Sequence, residues 1–402
     1  MTDLRDRAPI RAADIKELNE RLVLGMVFRA SRASQSEVAA SSGLKAPTVF
    51  RIFGELERLG LIAPVASPPL AADRKGRRPT WYAPVPGAYR VIGLDFRAGA
   101  ASVVVEDFSA AILYEEERLI PNGANASEAY AIVSDLAEEA LKKAPGGPLL
   151  GIGVGAPGVV DLAKGEVLKY ERIHGLSGFP LAERLTQRFN ATVRMGNNAT
   201  VAAMAAYRYG SPQESAGNLD DETRSPSADS FFALLVRSGV GGAFIRAGCP
   251  YESGGKTAIE IGHMTMDTTG PECACGGFGC LEAYLAEDAL VAAAAKVGSC
   301  VDFYELVRLI EAQDASTLKA LQPAAEQASV ALLNIRHLLD PGEYIIISRS
   351  EALSRFLASA IRRYLAASLC AEDDEPRIRG YRWDPVLAGR AACDMVFDGF
   401  FS

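Results

Sequence analysis

From Ile15 to Ile62 the apolar positions of the chain recur at helical spacing, and from Arg90 onward the pattern changes. Leu18, Leu22, Leu24 and Val27 predict one helix, and Val38 with Ala39 a short second one. Val49, Ile52, Phe53, Leu56 and Leu59 fall three and four apart, so they line one face of a third helix. Gly43 separates the second from the third, Pro47 suits a first helical turn, and Gly60 closes the run. "SEVAASSGLKAPTVFRIFGEL" therefore reads as helix, tight turn, helix, with Lys45, Thr48 and Arg51 outward. A plain helical hairpin inside a larger core would share the periodicity, but not the agreement of turn, helix length and outward polar residues. The next stretch, "LIAPVASPPLAADRKGRRPTWYAP", continues as strand, long basic turn and strand, the outline of a wing.

Beyond Arg90, short apolar runs alternate with helical ones. "LLGIGVGAPGVVDL" and "SFFALLVRSGVGGAFIRAG" are each a buried strand running into a Gly-rich loop, about 80 residues apart. "PGEYIIISRSEALSRFLASAIRRYL" is a strand followed by a helix. Helical runs cover Tyr130–Lys143, Ala199–Tyr209, Leu281–Lys296 and Ala328–Leu339. The alternation predicts an α/β body, and the repeated strand-plus-loop predicts duplicated halves with a cleft between them. Residues 210–230 and "CAEDDEPR" are polar and read as exposed loops.

Charge separates the two parts. Residues 1–90 hold 15 Lys+Arg against 9 Asp+Glu, leaving 27 against 41 for the rest of the 42 and 50 in the chain. A basic head on an acidic body points to a polyanionic partner for the head alone. Within "RKGRRP", Arg77 and Arg78 are suited to a narrow minor groove, where negative potential is strongest, although a flexible basic linker would look similar. No apolar run reaches the roughly 18 residues of a membrane span, and the polar "MTDLRDRAPIRAAD" start is unlike a secretory signal. Seven cysteines, three of them clustered, suit a reducing compartment. A cytoplasmic protein of two or three domains is expected.

The cluster lies in "EIGHMTMDTTGPECACGGFGC". His263, Cys273, Cys275 and Cys280 are spaced His-x9-Cys-x-Cys-x4-Cys, a donor set for tetrahedral Zn2+. Glycines between the thiols let the loop curl on itself. Four protein ligands leave no open position, so the expected zinc is structural. Unrelated thiols or a redox pair would not explain the upstream histidine.

Together these stretches resemble the ROK family, whose name joins repressors, open reading frames and kinases. The resemblance is carried by "EIGHM", "CACGGFGCLEAY", "GIGVGAPGVVD", "GNNATVAAMAAYRYG" and "GRAACDMVFDGFF". It implies a winged helix-turn-helix domain followed by a duplicated actin-like, hexokinase-type α/β fold, with a sugar pocket in the interlobe cleft. Carried over by position, the implied sugar ligands are Asn197, Asn198, Glu260, His263 and Glu282. His263 would serve metal and sugar through its two ring nitrogens.

The chain departs from the kinase members of that family at each catalytic part. Their general base is the Asp of Asn-Asp, where this chain has Asn198; a neutral amide cannot accept the hydroxyl proton. Their first phosphate loop, Asp-x-Gly-Gly-Thr, is "DFRAG" here, with Asp95 kept and Arg97 and Ala98 in place of glycines. Their Gly-Thr-Gly is "RSG", led by Arg237, and the late Gly-Gly is Ser348-Arg349. The pocket is altered too: Ile259 stands where Gly usually precedes the first Glu, and Ala206 where Glu is common.

The expected organisation is a DNA-binding head over residues 1–85, a first lobe over 86–200, and a second lobe over 201–385 with the zinc loop and an oligomerisation surface. A C-terminal helix over 386–402 packs back on the first lobe. The expected function is a transcriptional regulator, a repressor controlled by a sugar and inactive as a kinase. It would bind operator DNA as a homodimer or homotetramer, with no membrane partner. Thr48 and Arg51 would meet base edges, Lys45 and Arg58 phosphates, and Arg77 and Arg78 the minor groove. A residual sugar kinase with an added head, and a regulator answering to a protein partner, are the alternatives.

Overall fold

The computed structural model describes residues 12–67, 79–210, 229–252, 255–257, 259–368 and 377–402. Arg77 and Arg78 lie outside them. The head comprises α1 (Ala12–Arg29), β1 (Ala33–Ser34), α2 (Gln35–Ser42), α3 (Ala46–Arg58), β2 (Ile62–Val65) and β3 (Trp81–Pro84). Ser34 caps α2 through a reciprocal capping box with Glu37, and Gly43 ends it at φ +70°. Pro47 stands in the first turn of α3. The strands β2 and β3 pair antiparallel as the wing, and β1 adds to β3.

Two of the apolar faces differ from the periodicity. In α1 the buried residues are Val23, Leu24 and Val27, while Leu18 and Leu22 are exposed, because only the C-terminal half of the helix packs on α3 and the body. In α3, Val49, Ile52, Phe53 and Leu56 are buried, but Leu59 is the C-cap and faces solvent where Gly60 turns the chain.

The first lobe is built from β4 (Arg90–Arg97), β5 (Ala100–Asp107), β6 (Ile112–Leu119), α4 (Ala126–Lys143), β7 (Leu149–Ala156), β8 (Val159–Asp161), β9 (Glu166–Lys169), α5 (Leu181–Phe189) and β10 (Thr192–Asn197). Its sheet runs β10-β7-β4-β5-β6. The second lobe follows α6 (Asn198–Tyr209) with β11 (Ser230–Val236), β12 (Val240–Arg246), β13 (Cys249–Pro250) and β14 (Lys256–Thr257). It continues with α7 (Glu282–Leu285), α8 (Glu287–Ala295), α9 (Phe303–Glu311), α10 (Ala315–Leu339), β15 (Glu343–Ser348), α11 (Glu351–Ser368) and β16 (Arg377–Arg382). Its sheet runs β13-β12-β11-β15-β16.

The two sheets have one plan. A central strand pairs antiparallel with a meander on one side (β4 with β5 and β6; β11 with β12 and β13) and parallel with crossover strands on the other. This is the duplicated actin-like, hexokinase-type fold. Between the sheets, α6 and the last helix, α12 (Pro385–Phe401), share one apolar core with β11 and β15. The run expected as one helix over 281–296 is two, α7 and α8. Ala286 is extended between them (ψ 152°), and the amide of Glu287 donates to the Arg237 carbonyl instead of continuing the helix.

A further core joins head to body. Val23, Leu24, Val27, Val49 and Phe53 of the head pack in one cluster with Val91, Phe108, Val396, Phe397 and Phe401 of the body. The Phe28 ring lies tilted against those of Phe397 and Phe401, with centroids 4.5 and 4.9 Å away. A Cβ at Gly25 would come within 3.1 Å of the Phe401 Cβ, so α1 and α12 are in close contact there. Among the described residues no helix is long and apolar enough to cross a membrane.

Candidate functional site

The cleft between the lobes collects residues from five places in the chain. Asn197 ends β10 and caps α6; Asp95 is near the end of β4; Arg237 leads the β11–β12 turn; Glu260 and His263 follow β14; Glu282 opens α7. Asn197, Asn198, Glu260, His263 and Glu282 line one cavity, as the resemblance implies. The same wall includes Lys169, Tyr170, Glu171 and Arg172, which sequence reasoning missed. Their only signal was a dense polar run, "KYERIHG", beside a strand.

The two asparagines differ in what their amides already do. Asn197 Oδ1 accepts from the Ala199 amide at 2.7 Å, and its Nδ2 donates to the Gly158 carbonyl at 2.6 Å. It therefore holds the start of α6 against the β7–β8 turn. Asn198 Nδ2 donates to the Phe96 carbonyl at 3.0 Å, but its buried Oδ1 has no partner. An orphaned buried acceptor on a cavity wall is suited to a ligand hydroxyl. Glu282 Oε2 accepts from the Val240 amide at 2.9 Å, and its Oε1 lies 3.5 Å from Arg172. Arg172 also lies 3.5 Å from Asp288, so this arginine of the first lobe joins two carboxylates of the second.

Arg237 lines the same cavity. Arg237 Nη1 lies 3.4 Å from Asp95 Oδ2, and the guanidinium carbon sits 3.7 Å from the centre of the Trp383 ring. Burial moves both ions toward their neutral forms: Asp95 up, against the pull of Arg237, and Arg237 down to about 10. Arg349, a further arginine standing where the resemblance puts glycine, makes a bidentate pair with Glu287 at 2.8 and 2.6 Å and lies over Phe303. Both side chains are thus held within the protein by an ion pair and an aromatic ring each.

The metal loop closes on itself. The ligand atoms of His263, Cys273, Cys275 and Cys280 all lie within 4.8 Å of one another. Cys275 and Cys280 sulfurs are 3.8 Å apart, and Cys273 Sγ is 3.7 Å from His263 Nδ1. Two thiolates bound at about 2.3 Å to a tetrahedral ion stand about 3.8 Å apart, so the four donors fit such an ion. Gly279 at φ +63° makes the tight return, and a Cβ there would strike the Asp267 carbonyl at 1.6 Å. His263 Nε2 points the other way, 3.6 Å from Glu260 Oε2, which ties the loop to the cavity wall.

In the head, Lys45 is exposed as the N-cap of α3, and Thr48 is half-buried. Arg51 is exposed, with Nη1 3.9 Å from Glu20 of α1. Arg58 is held one turn back by Glu55 at 2.6 and 3.1 Å.

A path of contacts runs from cavity to head. The helix that starts at Asn198 ends at Arg208 and Tyr209. Arg208 pairs with Asp394 at 3.0 Å and with Asp398, both on α12, and Tyr209 donates to Asp394 at 2.6 Å. Asp398 in turn faces Arg29 of α1 at 3.5 Å.

A family model described as ROK family matches residues 91–392. The chain is 24% identical over 367 residues to the xylose repressor of Caldicellulosiruptor bescii, covering 87% of this chain and 88% of that protein. It is 25% identical over 282 residues to the DNA-binding transcriptional dual regulator NagC of Escherichia coli, covering 69% of this chain and 64% of that protein. Among solved structures, a ROK family transcriptional regulator homologous to the E. coli MLC protein superposes with a TM-score of 0.77 at 17% identity, over 96% of this chain and 98% of that one. A ROK family glucokinase from Streptomyces griseus, solved with glucose and AMPPNP, superposes with a TM-score of 0.62 at 23% identity, over 76% of this chain and 98% of that one. These two structural likenesses speak to the fold.

Proposed function

The chain belongs to the ROK family, and from that premise we propose that it is a transcriptional repressor whose interlobe cleft binds a sugar without phosphorylating it. One observation carries this reading: the winged head and the α/β body share a single apolar core through α1 and α12. A movement of α12 cannot leave the head where it was, because packed interiors do not deform continuously. The relatives named as repressors support the same direction.

In this reading Asn198, Glu260, His263 and Glu282 hold sugar hydroxyls, with Asn197 fixing the geometry of the α6 start. Carboxylates accept from hydroxyls and amides do both, so the site discriminates against analogues lacking the group. Zn2+ bound by His263, Cys273, Cys275 and Cys280 holds the loop that presents Glu260 and His263; it is structural, since the donor set is complete. In this reading phosphoryl transfer is absent because an amide, Asn198, stands at the general-base position, and because the buried Arg237–Asp95 pair and the part-buried Arg349–Glu287 pair take the places of phosphate-loop glycines.

One head reads little sequence, so a homodimer on a palindrome, or a pair of dimers, places two α3 helices in successive major grooves about one turn apart. Sugar acts by preferring one lobe arrangement, which α6 and α12 pass to the heads.

The test is operator selection from random duplexes by the zinc-loaded protein, followed by operator binding against a panel of neutral, amino and phosphorylated sugars. One sugar that raises the melting temperature and changes operator affinity is expected. Release of ADP at kinase-like rates from ATP and any of these sugars would overturn the proposal. So would enrichment of no duplex.

A further inference from the structure

The exposed face of α3 carries a combination that the fold itself does not explain. Val49, Ile52, Phe53 and Leu56 are in the core, but Phe50, on the opposite face, is 67% exposed. A phenylalanine there adds nothing to packing, and it is a weaker helix former than alanine, lysine or arginine. One turn further on is Gly54. Its φ is ordinary for a helix, and a Cβ built on it would meet nothing within 4 Å. Neither backbone geometry nor a neighbour requires glycine at this position, and glycine weakens a helix interior.

Ala46 and Pro47, four and three residues before Phe50, complete a low surface from which one ring stands out. Lys45 and Arg51 are exposed beside it. A small-residue face with a single projecting ring, flanked by cations, suits a partner that comes close to the helix backbone, is negatively charged at its edges and apolar at one point. Duplex DNA has those properties in its major groove: phosphates line the rims, and on the base edges the apolar group is the C5-methyl of thymine.

We infer that Phe50 reads a thymine methyl group in each half-site, and that Gly54 lets α3 approach the groove closely enough for the ring to reach it. This rests on the proposal that the head binds operator DNA. Arg51 reads a base edge or a phosphate independently of it. The ring has no donor or acceptor, so its contribution is confined to the methyl and should be separable from hydrogen-bonded readout.

The test uses the full-length protein and the duplex that it enriches from a random pool. Each thymine of that duplex is replaced in turn by deoxyuridine, which removes the methyl and nothing else. One thymine per half-site is expected whose replacement weakens wild-type binding about fourfold, the effect of exposing one buried methyl-sized group. Phe50→Ser should bind the thymine and deoxyuridine duplexes equally, with an unchanged melting temperature. Phe50→Leu, which keeps an apolar side chain, should retain part of the difference. Gly54→Ala should raise the melting temperature while lowering affinity for the enriched duplex. If every deoxyuridine duplex binds wild type and Phe50→Ser in the same ratio, Phe50 reads no methyl. If Gly54→Ala binds as tightly as wild type, the close approach is refuted. A failure to enrich any duplex would instead remove the DNA-binding reading, and this inference with it. Self-association of wild type that Phe50→Ser abolishes, without any thymine effect, would assign the ring to a protein contact and overturn the inference.

Discussion

Arg237 and Asp95 face each other across the cleft at 3.4 Å, one from each lobe, and they are 3% and 1% exposed. Either residue alone would be a buried charge without its main partner. Arg237→Met should therefore lower stability by roughly 3–5 kcal/mol in chemical denaturation. Adding Asp95→Asn to that chain should restore most of the loss, since a neutral pair needs no partner. If the single and double variants were equally unstable, the pair would not be acting as a unit. ATP with Mg2+ should leave the melting temperature of the wild type unchanged.

The two neighbouring asparagines should separate into a scaffold and a ligand group. Asn197→Ala removes the cap of α6 and should cost about 0.5–2 kcal/mol of stability. Asn198→Ala removes the acceptor that has no protein partner and should cut sugar affinity at least about tenfold, the scale for deleting a hydrogen bond of about 1.4 kcal/mol. Calorimetric titration and thermal melts on both variants distinguish the roles; the reverse pattern would exchange them.

Cys275→Ser should lower metal content and sugar affinity together, because His263 belongs both to the metal loop and to the cavity wall. Elemental analysis and sugar titration on the same sample make the comparison. Full zinc occupancy in the variant would show that the fourth ligand lies elsewhere.

Phe28→Ala should uncouple the head. The ring contacts both Phe397 and Phe401, so its loss thins the core shared by α1 and α12. Operator binding and sugar binding should each survive, while the effect of sugar on operator affinity, usually about 5–150-fold in such systems, shrinks toward none. Retention of the full sugar effect would mean that coupling does not pass through this contact.

Stability should fall as pH rises through the neutral range. Burial pushes the Glu106 carboxyl from its ordinary 4.5 up to about 8, even with Arg390 beside it at 2.7 Å and with Asp394 and Asp107 near. The folded protein then holds this proton at pH values where the unfolded chain has lost it. The contribution is fully present below about pH 4.5 and disappears as pH approaches 8, at most about 1.4 kcal/mol per unit. Denaturation midpoints measured from pH 5 to 8 should show a downward slope that Glu106→Gln flattens. An upward slope abolished by the same change would reverse the sign of the assignment.

What the sequence disclosed depended on distance along the chain. The metal ligands span His263 to Cys280, so their spacing was itself the signal, and the turn before α3 announced itself through Gly43 and Pro47. The contact of Arg29 with Asp398, and of Asp398 with Arg208, joins three positions that share no periodicity. Arg172 was invisible for the same reason: its partners Glu282 and Asp288 belong to the other lobe. Leu59 and Leu22 kept the helical period but not the burial, because a period gives a face and says nothing of where the neighbouring surface stops. Phe50 was hidden by being apolar, the class of residue that sequence patterns assign to the interior.

The position of α12 also bears on how the molecule is made. This helix covers β4, β5 and β7 and supplies the rings on which the head sits, yet it is synthesised after every one of those elements. Until it emerges from the ribosome, the earlier strands keep an apolar side uncovered and the head has no seat. The nascent chain is therefore exposed to aggregation and proteolysis until translation has passed Phe401, and a chaperone that shields the first sheet should raise yield more than one acting on the head.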